Sequence, residues 1–168
     1  MEVFGLAGWS GSGKTTLIKR LIPVLTNRGI SVSTVKHAHH SFDIDEPGKD
    51  SFEHRLAGAG EVLISSENRW AIIHENKGSI EPELSDLLSK LSPVNIVLIE
   101  GFKNTKFKKL EIYREANKKP LLQKNDPNIC AVASDIRLRN IEVPVFDLDD
   151  IKTISEFIMR NTGLLETL

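Results

Sequence analysis

The strongest chemistry in this sequence lies in eight consecutive residues, Gly8-Trp9-Ser10-Gly11-Ser12-Gly13-Lys14-Thr15. They fit the spacing G-x-x-x-x-G-K-[ST], in which each residue type has a physical task. The glycines let the backbone turn tightly, so that the stretch from Gly8 through Ser10, Gly11 and Ser12 to Gly13 aims successive N–H groups at phosphate oxygens. Lys14 reaches the β- and γ-phosphates as a point charge. The Thr15 hydroxyl offers one oxygen to Mg²⁺, and Thr16 adds a bond to the α-phosphate. A helix beginning here contributes its positive end to the same anion.

A second group belongs to the same chemistry. Asn95-Ile-Val-Leu-Ile99 is a continuous apolar run that ends in Glu100-Gly101. A buried strand of this kind delivers a carboxylate beside the first loop, where it holds Mg²⁺ directly or through a water. Most such sites use Asp; Glu100 reaches further, and contact through water is the expected geometry. Asp43, Asp45 and Asp50 share one loop, and Asp50 is the preferred candidate for orienting water because the Pro47-Gly48 turn defines its position. The same residue also suits the cap of a following helix. Lys14, Asp50 and Glu100 are therefore the candidate catalytic groups. Asp135 follows a late apolar strand, and a carboxylate there accepts N1–H and N2–H₂ of guanine, groups that adenine lacks. The local sequence Ala133-Ser134-Asp135 is shorter than the full Asn-Lys-x-Asp pattern, and a plain loop acid is its alternative reading.

The elements that position these groups are legible from periodicity. Met1–Ala7 is a short apolar strand ahead of the loop, and Thr16–Asn27 is an amphipathic helix stopped by Arg28-Gly29, with Pro23 inside it. Ile30–Val35 is a second strand, followed by a short helix from Asp50 or Ser51 to about Ala59. Glu61–Ser65 and Arg69–His74 form a hairpin, expected at an edge of the sheet. Glu81–Leu91 reads as a helix, with Leu84, Leu87, Leu88 and Leu91 on one face. Leu110–Tyr113, Ile129–Ala133 and Val143–Phe146 are further strands, and a last helix runs from a cap at Asp149 or Asp150 to about Arg160. Repeated strand–helix alternation predicts one α/β domain over residues 1–168. Its expected form is a mostly parallel twisted sheet flanked by helices, of the P-loop NTPase type, with an added β-hairpin.

Bulk properties remove several function classes. A net charge of −1 over 168 residues gives no global case for nucleic-acid or membrane binding. The only cysteine, Cys130, sits among apolar neighbours as a buried strand thiol, and a reducing cytoplasm is the expected compartment. No apolar run approaches membrane length, and Met1 leads straight into a strand rather than a signal peptide. His37, His39 and His40 invite a metal reading, yet no cysteine cluster supports it; polar contacts to a second ligand or plain loop polarity fit better. The other histidines are His54 and His74. From Lys103 to Lys124 the chain is basic, read as a solvated face or as a patch for an anionic ligand or acidic partner.

Taken together these segments resemble the MobB family, the molybdopterin-guanine dinucleotide biosynthesis protein B. The resemblance rests on the Gly8–Thr15 loop, on Val35-Lys-His-Ala-His-His40, on Phe42-Asp-Ile-Asp-Glu-Pro-Gly-Lys-Asp-Ser51 leading to His54-Arg55 and Ala57-Gly58-Ala59, and on Leu98-Ile-Glu-Gly-Phe-Lys103. It covers essentially the whole chain. It implies a P-loop protein that binds GTP with Mg²⁺, forms a homodimer, and hydrolyses GTP weakly at most. It further implies a partner, the MobA-type guanylyltransferase that joins GMP to molybdopterin, with molybdopterin itself as a further ligand. Two other readings share the loop: a small-molecule kinase, and an adaptor in which nucleotide sets conformation without turnover.

Overall fold

The computed structural model describes residues 1–38, 42–102 and 105–165. In chain order the elements are β1 (Glu2–Ala7), α1 (Lys14–Thr26), β2 (Val32–Lys36), α2 (Asp50–Leu56), β3 (Glu61–Ser65), β4 (Trp70–His74), α3 (Leu84–Leu88), β5 (Ile96–Glu100), β6 (Lys109–Tyr113), β7 (Ile129–Ser134), β8 (Val145–Asp147) and α4 (Ile151–Asn161). They fall into two compact units, Met1–His37 with Ser89–Leu168, and Ala38–Leu88.

The first unit is built on a six-stranded sheet in the order β2-β5-β1-β6-β7-β8, and every pairing in it is parallel. The chain leaves β1 towards β2 on one side and later crosses from β5 to β6 on the other. That reversal opens a crevice at the C-terminal end of β1, the place where such sheets receive ligands. Alternate strand residues Phe4, Leu6, Ile96, Leu98, Leu110 and Ile112 pack with Leu17, Leu21 and Leu25 of α1 and Ile154 and Ile158 of α4 in one core. Asp150 caps α4, its carboxylate accepting from the Thr153 amide at 3.0 Å. Pro23 is accommodated within α1.

The opposite face of the sheet is also closed, although no α-helix crosses from β6 to β7. Val97, Ile99 and Val132 are fully buried there, as are Lys109 and Glu111. The Phe107 ring lies against β1, so close that a Cβ on Gly5 would come within 2.2 Å of it. The 114–128 connection is fastened by buried polar groups instead of an apolar helix face. The Glu111 carboxylate accepts from the Leu122 and Gln123 amides at 2.7 and 2.8 Å, while Lys109 Nζ donates to Asp126 at 2.8 Å. Burial pushes the Glu111 carboxyl above the ordinary range, against the pull of those two amides.

In the second unit β3 and β4 pair antiparallel from Glu61↔His74 to Ser65↔Trp70. They form a two-stranded sheet of their own, so the hairpin does not edge the parallel sheet as expected. The Ser66 amide and hydroxyl close its turn on the Arg69 carbonyl. Helix α3 is shorter than the Glu81–Leu91 expectation: Pro82 disfavours helical backbone at Glu81, and the first helical amides bond back to the Glu83 carbonyl. Helix α2 starts after Lys49, which puts Asp50 in its first turn rather than at the cap. Arg55 is the hub of this unit. It donates to Asp43 at 2.9 Å, to Asp45 at 2.8 Å and to Glu75 at 3.1 Å. Its hydrogen bonds hold the Asp45 carboxyl below the ordinary carboxylate range, and Asp45 in turn raises the guanidinium. Asp43 and Asp45 are thus structural ligands of an arginine.

Candidate phosphate site at the end of the central strand

The loop between β1 and α1 has the backbone of a phosphate cradle. Gly8, Gly11 and Gly13 adopt φ of +149°, +77° and +97°. Gly8 is also sterically obligatory: a Cβ there would lie 2.5 Å from Ser12 Oγ and 2.7 Å from the Ile112 carbonyl oxygen of β6. Ser12 Oγ is the one buried side-chain oxygen among the described residues that has no hydrogen-bond partner. Such an orphan in a native loop calls for an explanation, and a ligand oxygen supplies one. Lys14 Nζ arches back over the loop, donating to the Gly8 carbonyl at 2.8 Å and the Trp9 carbonyl at 3.0 Å. Its charge therefore sits at the mouth of the cradle.

β5 delivers Glu100 beside this loop. The Thr15 hydroxyl donates to Glu100 Oε2 at 3.1 Å, across 85 positions of sequence. A hydroxyl and a carboxylate at this separation form a hard oxygen pair of the kind Mg²⁺ takes, keeping several waters. Thr15 and Glu100, the two residues expected to hold Mg²⁺, stand within hydrogen-bond distance of each other. Gly101 follows at φ +100°, and a Cβ on it would strike His37 Cβ at 2.7 Å, so only glycine lets β2 and β5 close here. Phe102 is itself left-handed at φ +50°, and its ring stands 4.9 Å from that of His37. His39 and His40 lie outside the described residues. Among those described, no group of three or more His, Cys, Asp or Glu is arranged to hold a metal ion. Asp50 belongs to the second unit.

On the other flank the β6–β7 connection wraps the outside of the loop. Arg114 Nε donates to the Ser12 carbonyl at 3.1 Å, Asn117 Nδ2 to the Ser10 carbonyl at 3.4 Å, and Trp9 Nε1 to the Pro120 carbonyl at 2.8 Å. Lys119 Nζ stands over the Trp9 ring at 5.6 Å. Asp135, at the end of β7, accepts from the Glu115 amide at 3.0 Å, and its other oxygen faces Arg114 Nη1 at 3.9 Å. Sequence reasoning saw only a basic run here and did not single out Arg114 or Asn117.

The family model described as "Molybdopterin guanine dinucleotide synthesis protein B" matches residues 3–135. The chain belongs to the MobB family. The match takes in the phosphate loop, Glu100, Arg114 and Asp135 and ends before β8 and α4. The molybdopterin-guanine dinucleotide biosynthesis adapter protein of Escherichia coli K12 is 40% identical over 163 residues, covering 95% of this chain and 93% of its own length. Its Haemophilus influenzae counterpart is 36% identical over 158 residues, covering 94% and 88% respectively. A crystal structure of a molybdopterin-guanine biosynthesis protein B superposes with a TM-score of 0.75 at 28% identity, over 97% of this chain and 99% of that one. Bacillus subtilis MobB shares the fold, with a TM-score of 0.75 at 21% identity over 96% and 98%. Among the described residues of this MobB chain, no helix is long and apolar enough to cross a membrane.

Proposed function

We propose that this chain is a Mg²⁺–GTP-binding adapter in the attachment of GMP to molybdopterin. In that role it assists a MobA-type guanylyltransferase in the cytoplasm and turns GTP over weakly at most. The observation that carries the reading is the Thr15–Glu100 contact at 3.1 Å beside the Lys14 ammonium, a phosphate loop with its metal-side carboxylate. The adapter names of relatives at 40% and 36% identity support the pathway. Gly8–Gly13 would cradle the phosphates and Lys14 would neutralise them. Thr16 would bond the α-phosphate, Thr15 and Glu100 would hold the ion, and Asp135 would read guanine. When bound, Mg²⁺ would supply positive charge that offsets the negative charge of the phosphates.

Calorimetric titration with GTP and ATP, with and without Mg²⁺, tests this reading. The expected result is a GTP preference of at least about tenfold, since a base missing the two guanine donors forgoes both hydrogen bonds to the Asp135 carboxylate. Asp135→Asn should move that preference to xanthosine triphosphate, and Glu100→Ala should flatten the Mg²⁺ dependence. Equal or better ATP binding overturns the guanine assignment and brings the kinase reading forward.

The proposal includes a homodimer joined through the hairpin. The side chains of Leu63, Ile72 and Trp70 share one face of it and are 63%, 46% and 65% exposed. Val62 on the other face is buried, and a two-stranded hairpin gains little stability of its own in water, so the apolar face left open favours an interaction surface. Sedimentation should give twice the chain mass for the wild type and the single mass for Ile72→Lys. A dimeric Ile72→Lys overturns this face, and a monomeric wild type overturns the dimer.

A further inference from the structure

A phosphate cradle works only while its carbonyls point away from the ligand, so that its N–H groups point inward. In this chain the Ser12 carbonyl is held outward by Arg114 Nε at 3.1 Å. The same guanidinium lies against Gly13: Nε, Nη2 and Cζ stand 3.3, 3.6 and 3.9 Å from the point a Cβ would occupy. Its Nη1 faces Asp135 Oδ2 at 3.9 Å, an ion-pair distance rather than a hydrogen bond. Asp135 Oδ1 is fixed by the amide of the next residue, Glu115. Arg114 and Asp135 extend from neighbouring strands whose ends pair Tyr113 with Ser134. One planar cation therefore bridges the loop that would take phosphates and the carboxylate that would take the base.

We propose that Arg114 is a positioning residue that couples the two halves of the nucleotide site, fixing the phosphate loop through Ser12 and the base-reading carboxylate through Asp135. The inference rests on the guanine reading above. It follows from the fork geometry: one rigid plane donates from Nε to the Ser12 carbonyl and holds its charge at ion-pair distance from Asp135, which a lysine ammonium on a flexible stem does not reproduce. Loss of the fork frees the Ser12 carbonyl to turn and takes the counter-charge from Asp135 Oδ2, leaving the carboxylate held through Oδ1 by the Glu115 amide. Phosphate affinity and base discrimination then fall together.

The test uses the full chain with Arg114→Lys and Arg114→Gln, titrated with GTP, ATP and inorganic tripolyphosphate, which has no base. Tripolyphosphate affinity should fall about tenfold in Arg114→Gln, the loss of one charge-assisted contact, and less in Arg114→Lys, which keeps the charge. The GTP-over-ATP preference should collapse towards one in both variants, because neither keeps the fork. Equal losses for GTP and ATP, leaving the preference intact, overturn the coupling and reduce Arg114 to a prop for the loop. Unchanged tripolyphosphate binding overturns its hold on the phosphate loop. A wild type without guanine preference overturns the Asp135 reading and the coupling together, whereas a wild type that shows the preference and variants that keep it overturn the coupling alone. Circular-dichroism melting of each variant identifies any that fail to fold, and Arg114→Lys is the variant that decides if Arg114→Gln does.

Discussion

Lys14→Ala should lose nucleotide binding, with GTP affinity down by at least about a hundredfold. The estimate follows from charge-assisted hydrogen bonds worth roughly 1.5–3 kcal/mol each, two of which the ammonium would make to phosphate oxygens. The geometry adds a second loss. Lys14 Nζ bonds the Gly8 and Trp9 carbonyls, so its removal also releases the backbone that shapes the cradle. Lys14→Arg should fail as well, because a planar fork does not fold back over two carbonyls of its own loop as a compact ammonium does. Calorimetry on variants with unchanged melting curves checks the result. Affinity within a few-fold of wild type for Lys14→Ala would remove the phosphate loop from the functional account altogether.

What was legible in the sequence was what backbone chemistry restricts to few residue types. The Gly8–Thr15 spacing announced a strand–loop–helix turn because only glycine tolerates the positive φ values and the approach of Ile112 that the turn imposes. Glu100 was legible as the end of an unbroken apolar strand, the signature of a parallel sheet covered on both faces. Less visible were contacts fixed by tertiary approach. Arg55 gathers Asp43, Asp45 and Glu75 from up to 20 positions away, and nothing but charge sign hints at that hub. Asp50 drew notice through the Pro47-Gly48 turn, but that turn leads into the first turn of α2 in the second unit. The boundary near His37 and Ser89 carries no shift of composition. Arg114 and Asn117 were hidden in a basic run, because a run of like charges does not say which member turns inward.

Lys109-Leu-Glu-Ile-Tyr113 is the sharpest case. Its alternation reads as a strand with Leu110 and Ile112 inward and charges outward, yet Lys109 and Glu111 are 1% and 0% exposed. The reason is the 114–128 connection, which has only a three-residue 3-10 turn, Glu115–Asn117, and no apolar helix with which to cover the sheet. It is held down by the polar groups themselves, each matched by a partner as burial demands. A charge on a strand facing a closed layer signals an anchor there, and the signal becomes readable only when the length and composition of the crossover are weighed with it.

From that anchor follows the last prediction: Asp126→Ala should cost roughly 3–5 kcal/mol of stability, the usual penalty for stripping one partner from a buried ion pair. Asp126 Oδ2 takes the Lys109 ammonium at 2.8 Å, and Oδ1 accepts from the Asn128 amide at 2.9 Å. Lys109→Met should cost less, because the Asp126 side chain is 22% exposed and keeps its Asn128 bonds, and the double variant should recover most of what Asp126→Ala loses. Burial pushes the Asp126 carboxyl up, but Lys109 and Asn128 together hold it below the ordinary value. A depressed folded-state pKa contributes stability above the unfolded value of about 3.9 and loses it as pH falls through the folded one. Wild type should therefore shed stability over that acid range more steeply than Asp126→Ala. The same variant should weaken GTP binding, although the Asp126 side chain bonds Lys109 and Asn128 rather than the phosphate loop, because the connection it secures carries Arg114, Asn117 and Pro120 onto that loop. Urea unfolding at two pH values and a GTP titration read both effects. A cost under about 1 kcal/mol, the scale of an exposed pair, would mean that Lys109 is hydrated rather than sealed, and that the outer wall of the site is held by something other than this ion pair.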